Sequence, residues 1–345
     1  MASPSEERNI VLYHYSTSPY ARRIVWYLAL RGIPYVQCMQ PPVLPRPDVQ
    51  KLGLAHRRIP ILAIGRDVYL DTRLMLLKLE QLHPSTPTLA ATTPEHAALQ
   101  RLLDVLHIDG GLFAVATNAL PSTLPILRPN SAWLRDREGY VGRALSRETM
   151  QRARPTAVNE IRRLADLLET TLLADGREWV LGTDGPRLAD IEAVWLLHWL
   201  AGIPGALPEE HVSADKFPRV FAWMGRFDKA TSAARKAAPE VATVSGAEAA
   251  RIVVSSPYNE DAGGVDAGDA LVVAEGLGAG DEVILWPADT GASHKDTGKL
   301  VRLDKDEVVI EVQGEGGTVR VHAPRHGFRV ERLDRFQERR NSSKL

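Results

Sequence analysis

Ser18 stands directly before Pro19 in the stretch SPYARR, and no pairing in the chain offers plainer chemistry. A hydroxyl donor at a helix N-terminus favours an anion twice, through its own hydrogen bond and through the helix dipole. The same grammar is also a preferred helix start: Ser caps, and Pro suits the first helical position. Ser18 therefore has two readings, cap and anion stabiliser. Ser16 offers a competing hydroxyl at a slightly different offset, and Tyr13, Tyr15 and Tyr20 offer phenols, which at such places more often pack.

The elements that must position these residues are legible around them. NIVLYHY reads as a strand, and the stretch from Pro19 to Arg31 reads as a helix with Ile24, Tyr27 and Leu28 on one face. Gly32 and Pro34 end it. YVQCMQ is a second strand, RIPILAI and VYLD form a strand pair around Gly65, and TRLMLLKLEQL is a helix. A helix between two strands implies a parallel crossover, and the closely spaced later pair implies a hairpin. From Thr93 to about Ala238 the periodicity is helical, broken by a long Pro- and Arg-rich connection between Ala119 and Pro155. Beyond about Val241, alternation, glycine turns and β-branched residues predict four or five short strands in a barrel-like or sandwich-like unit. The divisions fall at residues 1–84, 85–240 and 241–337, with 338–345 an exposed tail.

The totals bound the function. With 345 residues, 44% of them hydrophobic and 25% charged, the chain has room for two or three cores. A net charge of -1 gives it no electrostatic footprint for nucleic acid, and no apolar run is long enough to span a bilayer. The single cysteine, Cys38, excludes an internal disulfide framework and a cysteine-rich zinc site, and it falls in a strand as a small buried residue. His322, Arg325 and His326 could line a site, but two histidines without a third ligand make no case for a metal. The terminal Ser343-Lys344-Leu345 matches a receptor-read peroxisomal address, which implies delivery to peroxisomes by the import receptor, with the cytoplasm as the alternative location.

Several features in order resemble the cytosolic glutathione transferase family: SPYARR after the first strand, RRIPIL before the third, LDTRLMLLKLEQLHP after the fourth, then LADIEAVW and FPRVFAWMGRF. The match spans roughly residues 10 to 236 and leaves the terminal strands outside. It implies a thioredoxin-like α/β domain that binds glutathione, followed by an all-helical domain. It also implies a homodimer and a small electrophilic substrate. Related enzymes with Cys at the Ser18 position do thiol-transfer chemistry, which serine cannot.

Residue by residue, the resemblance makes Ser18, or Ser16, the hydroxyl that stabilises the glutathione thiolate. Ile59-Pro60 resembles the family's cis-proline junction, with the Ile59 backbone facing the cysteinyl unit. Arg58 matches the position that takes the glycyl carboxylate, with His56 and Arg57 as nearby alternatives. Asp71-Thr72 stands where an acidic residue and a serine take the γ-glutamyl end. Asp190 matches an internal capping box left incomplete by Arg187, and reads as structural. Leu106, His107, Phe113 and Trp133 are candidates for the electrophile pocket, though core packing suits each of them. The implied activity is conjugation of glutathione to an electrophile. The alternatives are a glutathione-dependent cis-trans isomerase and a non-catalytic binding or assembly module.

Overall fold

The computed structural model describes residues 9–82 and 87–342. β1 (Ile10–His14), α1 (Pro19–Arg31) and β2 (Val36–Met39) form the expected parallel crossover, with Val11 opposite Val36 and Tyr13 opposite Cys38. After the single turn α2 (Pro47–Gln50), β3 (Ile61–Ile64) runs antiparallel to β1, and β4 (Asp67–Tyr69) forms a hairpin with β3. α3 (Thr72–Leu82) completes the thioredoxin-like unit.

The helical region follows as α4 (Pro94–His107), α5 (Leu112–Ala116), α6 (Ala132–Val141), α7 (Arg147–Leu167), α8 (Leu188–Ala201) and α9 (Pro218–Ala237). The connection expected between Ala119 and Pro155 is partly helical: it contains α6 and the first turns of α7. Ser146 caps α7 by accepting from the Thr149 N–H at 3.1 Å, and Pro155 lies inside the helix rather than before it. Proline removes one donor from a helix but does not always end it.

The C-terminal region comprises α10 (Gly246–Ser255), α11 (Ala270–Glu275), β5 (Glu282–Pro287), β6 (Asp296–Leu303), β7 (Glu307–Gly314), β8 (Gly317–Pro324), β9 (Phe328–Arg332) and α12 (Leu333–Ser342). A thioredoxin-like unit, a helical region and a strand-rich C-terminus are thus all present. The expected division at 241 falls between α9 and α10, and the strands beyond it join the first sheet. β8 pairs in parallel with β4, Val68 opposite Val321 and Tyr69 opposite His322. The result is one nine-stranded sheet in the order β2-β1-β3-β4-β8-β7-β6-β5-β9. The expected boundary at 84 falls in residues 83–86, outside the described residues. The expected tail from 338 belongs to α12, which buries none of its side chains, and Ser343-Lys344-Leu345 lie outside the described residues.

Strand alternation explains why the sheet holds two cores. In β1, Ile10 and Leu12 face the helical region while Val11 and Tyr13 face the other way; in β3, Leu62 and Ile64 face one side and Ile61 and Ala63 the other. The second face is covered by α10 and the terminal strands, with Val253, Leu285, Ile310 and Val321 in the same cluster. Close approach is needed there: a Cβ on Gly53 (φ +80°) would sit 2.3 Å from the Gln313 carbonyl oxygen. Among the described residues, no helix is long and apolar enough to cross a membrane.

A buried ionic cluster fastens the β4–β8 joint. His322 on β8 lies between Asp67 (Nε2 to Oδ1, 2.9 Å) and Glu307 (Nδ1 to Oε2, 3.2 Å). Lys78 on α3 donates to Glu307 at 3.1 Å and Glu260 at 2.6 Å, Arg302 lies 2.7 Å from Glu307, and the Tyr69 hydroxyl donates to Glu260 at 2.7 Å. Glu260, Glu307 and His322 are close enough to hold a cation, but Lys78 and Arg302 already bond those carboxylates. Burial alone would lower the His322 pKa, yet the two carboxylates outweigh it and hold the imidazole above its ordinary 6.5. A raised folded-state pKa stabilises fully below the unfolded value, and that contribution is lost as pH rises through the folded value. The stability gap between wild type and His322→Gln is therefore expected to be full below about pH 6.5 and to shrink at higher pH. Denaturant unfolding across pH 5 to 10 (about that span) measures it.

Candidate functional site

Between the three regions lies a cavity of about 290 Å³. Arg58, Ile59 and Pro60 enter it from the loop before β3, and Asp71 and Thr72 from the start of α3. Thus five of the seven residues singled out in the sequence, drawn from two separate segments, line one space. The Ile59–Pro60 peptide is cis, as the resemblance implies. Asp71 has φ 72°, a left-handed conformation that few non-glycine residues adopt and that often marks a ligand site. Its own carboxylate supports the turn: Oδ1 accepts from the Arg73 N–H at 3.0 Å.

The other walls come from residues that the sequence did not single out, or ranked low. Tyr20 of α1, Ile108 and Asp109 after α4, and Tyr140 of α6 line it, as do Asp289 and Thr290 from the β5–β6 loop and His326 from the β8–β9 turn. Arg73 forks onto Asp71 (Nε–Oδ1 3.0 Å, Nη2–Oδ2 2.9 Å) and reaches Asp109 at 3.2 Å, while His326 Nε2 lies 2.9 Å from the same Asp109. Burial would raise the Asp71 pKa, but Arg73 outweighs it and holds the carboxyl below its usual value. Burial pushes the Tyr20 hydroxyl well above its ordinary range, with Tyr140 adding and Arg23 opposing, so Tyr20 presents a neutral O–H donor.

Neither serine lines the cavity. Ser18 is the N-cap of α1, buried, and its Oγ accepts from the Ala21 N–H at 3.2 Å; a hydroxyl that accepts in this way keeps its proton to donate. Ser16 is exposed. Neither alternative to Arg58, His56 or Arg57, lines the cavity. Arg57 donates to Asp136 at 3.0 Å and stacks on Tyr140, and His56 is buried with neither ring nitrogen hydrogen-bonded. Burial, with Arg58 adding, pushes the His56 imidazole down to about 3. The backbone N–H groups of Ala55 and His56 donate to Asp296 Oδ1 at 2.7 and 3.0 Å, so β6 anchors the loop that carries Arg58.

The electrophile-pocket candidates stand outside the cavity lining. His107 is buried with Nδ1 2.7 Å from the Leu103 carbonyl, Phe113 packs edge-on against Tyr20, Trp133 stacks with Arg137, and Leu106 is exposed. Asp190 is structural, as expected: it accepts from the N–H groups of Arg187 and Val180 and from Trp223 Nε1, each at 2.9 Å. Cys38 is buried, and burial, with Asp48 adding, pushes its thiol up to about 12, which disfavours the thiolate.

Beneath the site lies a fully buried guanidinium. Arg23 of α1 donates to Thr72 Oγ1 at 2.6 Å, to Asp104 of α4 at 2.8 Å and to Glu192 of α8, and lies over the Trp195 ring. Burial raises the Glu192 pKa, with Arg23 opposing and Asp104 adding. Removing one partner of a buried pair strands the other charges. Arg23→Met is expected to cost about 3–5 kcal/mol of unfolding free energy, as read by denaturant unfolding at pH 7.

The comparisons with known proteins agree with this architecture. Residues 12–87 match the glutathione S-transferase N-terminal domain, and residues 115–236 match a domain of unknown function, DUF7962. No curated protein matches the sequence. A GST-like protein from Pseudomonas syringae is 24% identical, with a TM-score of 0.64 over 94% of this chain and 99% of that one. The rice enzyme GST1, solved with glutathione, is 18% identical with a TM-score of 0.50, covering 72% of this chain and 96% of its own. The beta-etherase LigF from Sphingobium sp. strain SYK-6 is 16% identical with a TM-score of 0.51, covering 67% of this chain and 100% of its own. The Pseudomonas coverage is too complete to omit the terminal strands. The chain has a glutathione-transferase fold whose sheet continues into a C-terminal strand region.

Proposed function

We propose that the cavity binds glutathione and that the protein adds its thiolate to a small electrophile. The observation that carries this reading is the convergence of Arg58, Ile59, cis-Pro60, Asp71 and Thr72 on one space, with Asp71 held at positive φ. Arg58 takes the glycyl carboxylate, Thr72 and the start of α3 the γ-glutamyl carboxylate, and Asp71 the ammonium. The cysteinyl unit then lies along Ile59, with its sulfur toward the N-terminus of α1. There the Ser18 hydroxyl and the helix dipole favour thiolate over thiol as the proton leaves to solvent. The thiolate forms the new C–S bond, and the electrophile's leaving group departs or its carbanion takes a proton from water. Positioning and thiolate stabilisation supply the acceleration.

A second reading, binding without catalysis, draws support from the serines, since neither Ser18 nor Ser16 lines the cavity while Tyr20 does. Calorimetry with glutathione, paired with thiolate absorbance and conjugation rate, separates the two. Wild type is expected to bind glutathione, and Ser18→Ala to bind it but to lose thiolate at neutral pH and about 10²-fold in rate. Ser16→Ala is expected to match wild type. If the loss follows Tyr20→Phe instead, the role of the hydroxyl moves to Tyr20. If no thiolate forms in any variant that binds, the binding-only reading holds. We also propose a homodimer through the exposed apolar residues Leu102, Val105 and Leu106 of α4. Sedimentation should show two chains for wild type and one for Leu102→Glu.

A further inference from the structure

Three groups from the C-terminal strand region hold Arg58. Its Nε and Nη2 donate to the Thr290 carbonyl at 3.0 and 2.6 Å, Nη2 also donates to Asp289 Oδ1, and Phe328 lies beneath the guanidinium at 5.8 Å. Their hold differs in kind. The turn that bears Thr290 is pinned on both sides: Ala288 N–H donates to the Gly327 carbonyl at 2.8 Å, and Gly291 N–H to the Tyr140 carbonyl at 2.7 Å. The Asp289 carboxylate is not pinned. Its side chain is 64% exposed, against 19% for Arg58. Both residues line the cavity with Ile59, Pro60 and Asp71.

We propose that Asp289 is a specificity-determining residue, a built-in carboxylate that competes for Arg58 with the glycyl carboxylate of an incoming peptide. The proposal rests on the reading of the cavity as a glutathione site. A guanidinium edge accepts one carboxylate well, and a second carboxylate beside Asp289 meets a like charge. A ligand must therefore displace Asp289 or tolerate it. Displacement is cheap because water rehydrates an exposed carboxylate, whereas the Thr290 carbonyl and Phe328 still orient the arginine. The Asp71–Arg73 pair cannot play this part, since Asp71 is largely buried and bidentate, and Arg73 is also engaged by Asp109. The terminal strands thereby set how strongly the cavity prefers a free carboxylate at that end of the ligand.

The test compares wild type and Asp289→Asn by calorimetry against two probes, glutathione and its glycyl monoethyl ester. The amide keeps a hydrogen-bond acceptor for Arg58 and removes only the charge. The variant is expected to bind glutathione about two- to five-fold tighter than wild type, and the ester with unchanged affinity. The gain on glutathione should narrow as salt is raised. Equal or weaker binding of glutathione by the variant overturns the proposal and leaves the glutathione site standing. The same gain on both probes also overturns it, because the competition would then not be for the glycyl carboxylate. If neither protein binds either probe, the glutathione reading falls, and this proposal with it.

Discussion

Arg23 is a cation with no access to water, and such a charge is tolerable only where oppositely charged partners surround it. Its partners come from three helices besides its own: Thr72 from α3, Asp104 from α4 and Glu192 from α8. Leaving the contact with Asp104 or Glu192 unmade strands charge in a low-dielectric interior. The helical region is therefore fixed against the thioredoxin-like unit at one point, directly beneath the start of α3. Since Thr72 is both a partner of Arg23 and part of the cavity wall, the demand for charge balance in the core also fixes the geometry of the site.

The second constraint is the sheet. Its first strands carry apolar side chains on both faces, so both must be covered. Helices cover one. The other is covered by α10 and the terminal strands, and this arrangement carries Asp289, Thr290 and His326 to the mouth of the cavity. Asp296, the first residue of β6, in turn anchors the loop leading to cis-Pro60. Covering an apolar face and completing a polar site are thus accomplished by the same strands.

Sequence signals are legible where the physics is local. Ser18-Pro19 and Gly32 mark the ends of α1, and Ile24, Tyr27 and Leu28 mark its buried face. The unbroken apolar run of β1 signals a strand buried on both sides, but nothing in the run says what lies on each side. Long-range pairings left no local trace. Asp289 meets Arg58 across 231 residues, and His322 meets Asp67 across 255. The alternation in VRVHAP places His322 opposite the apolar face, yet only the fold shows that this face meets Lys78 and Glu307. Pro155 misled in the opposite direction, because a helix of 21 residues, capped at Ser146, outlasts the loss of one bond.

The parallel joint between β4 and β8 has a consequence for how the chain can be divided. A transferase-like core that ended after α9 would leave β4 as a bare edge, with its N–H and C=O groups unpaired. It would also expose the apolar face built by Val11, Ile61, Ala63 and Val68. In this chain both would be open to solvent at once. The terminal strands thus pair an edge and cover a face at once, and their loss by proteolysis would uncover both together.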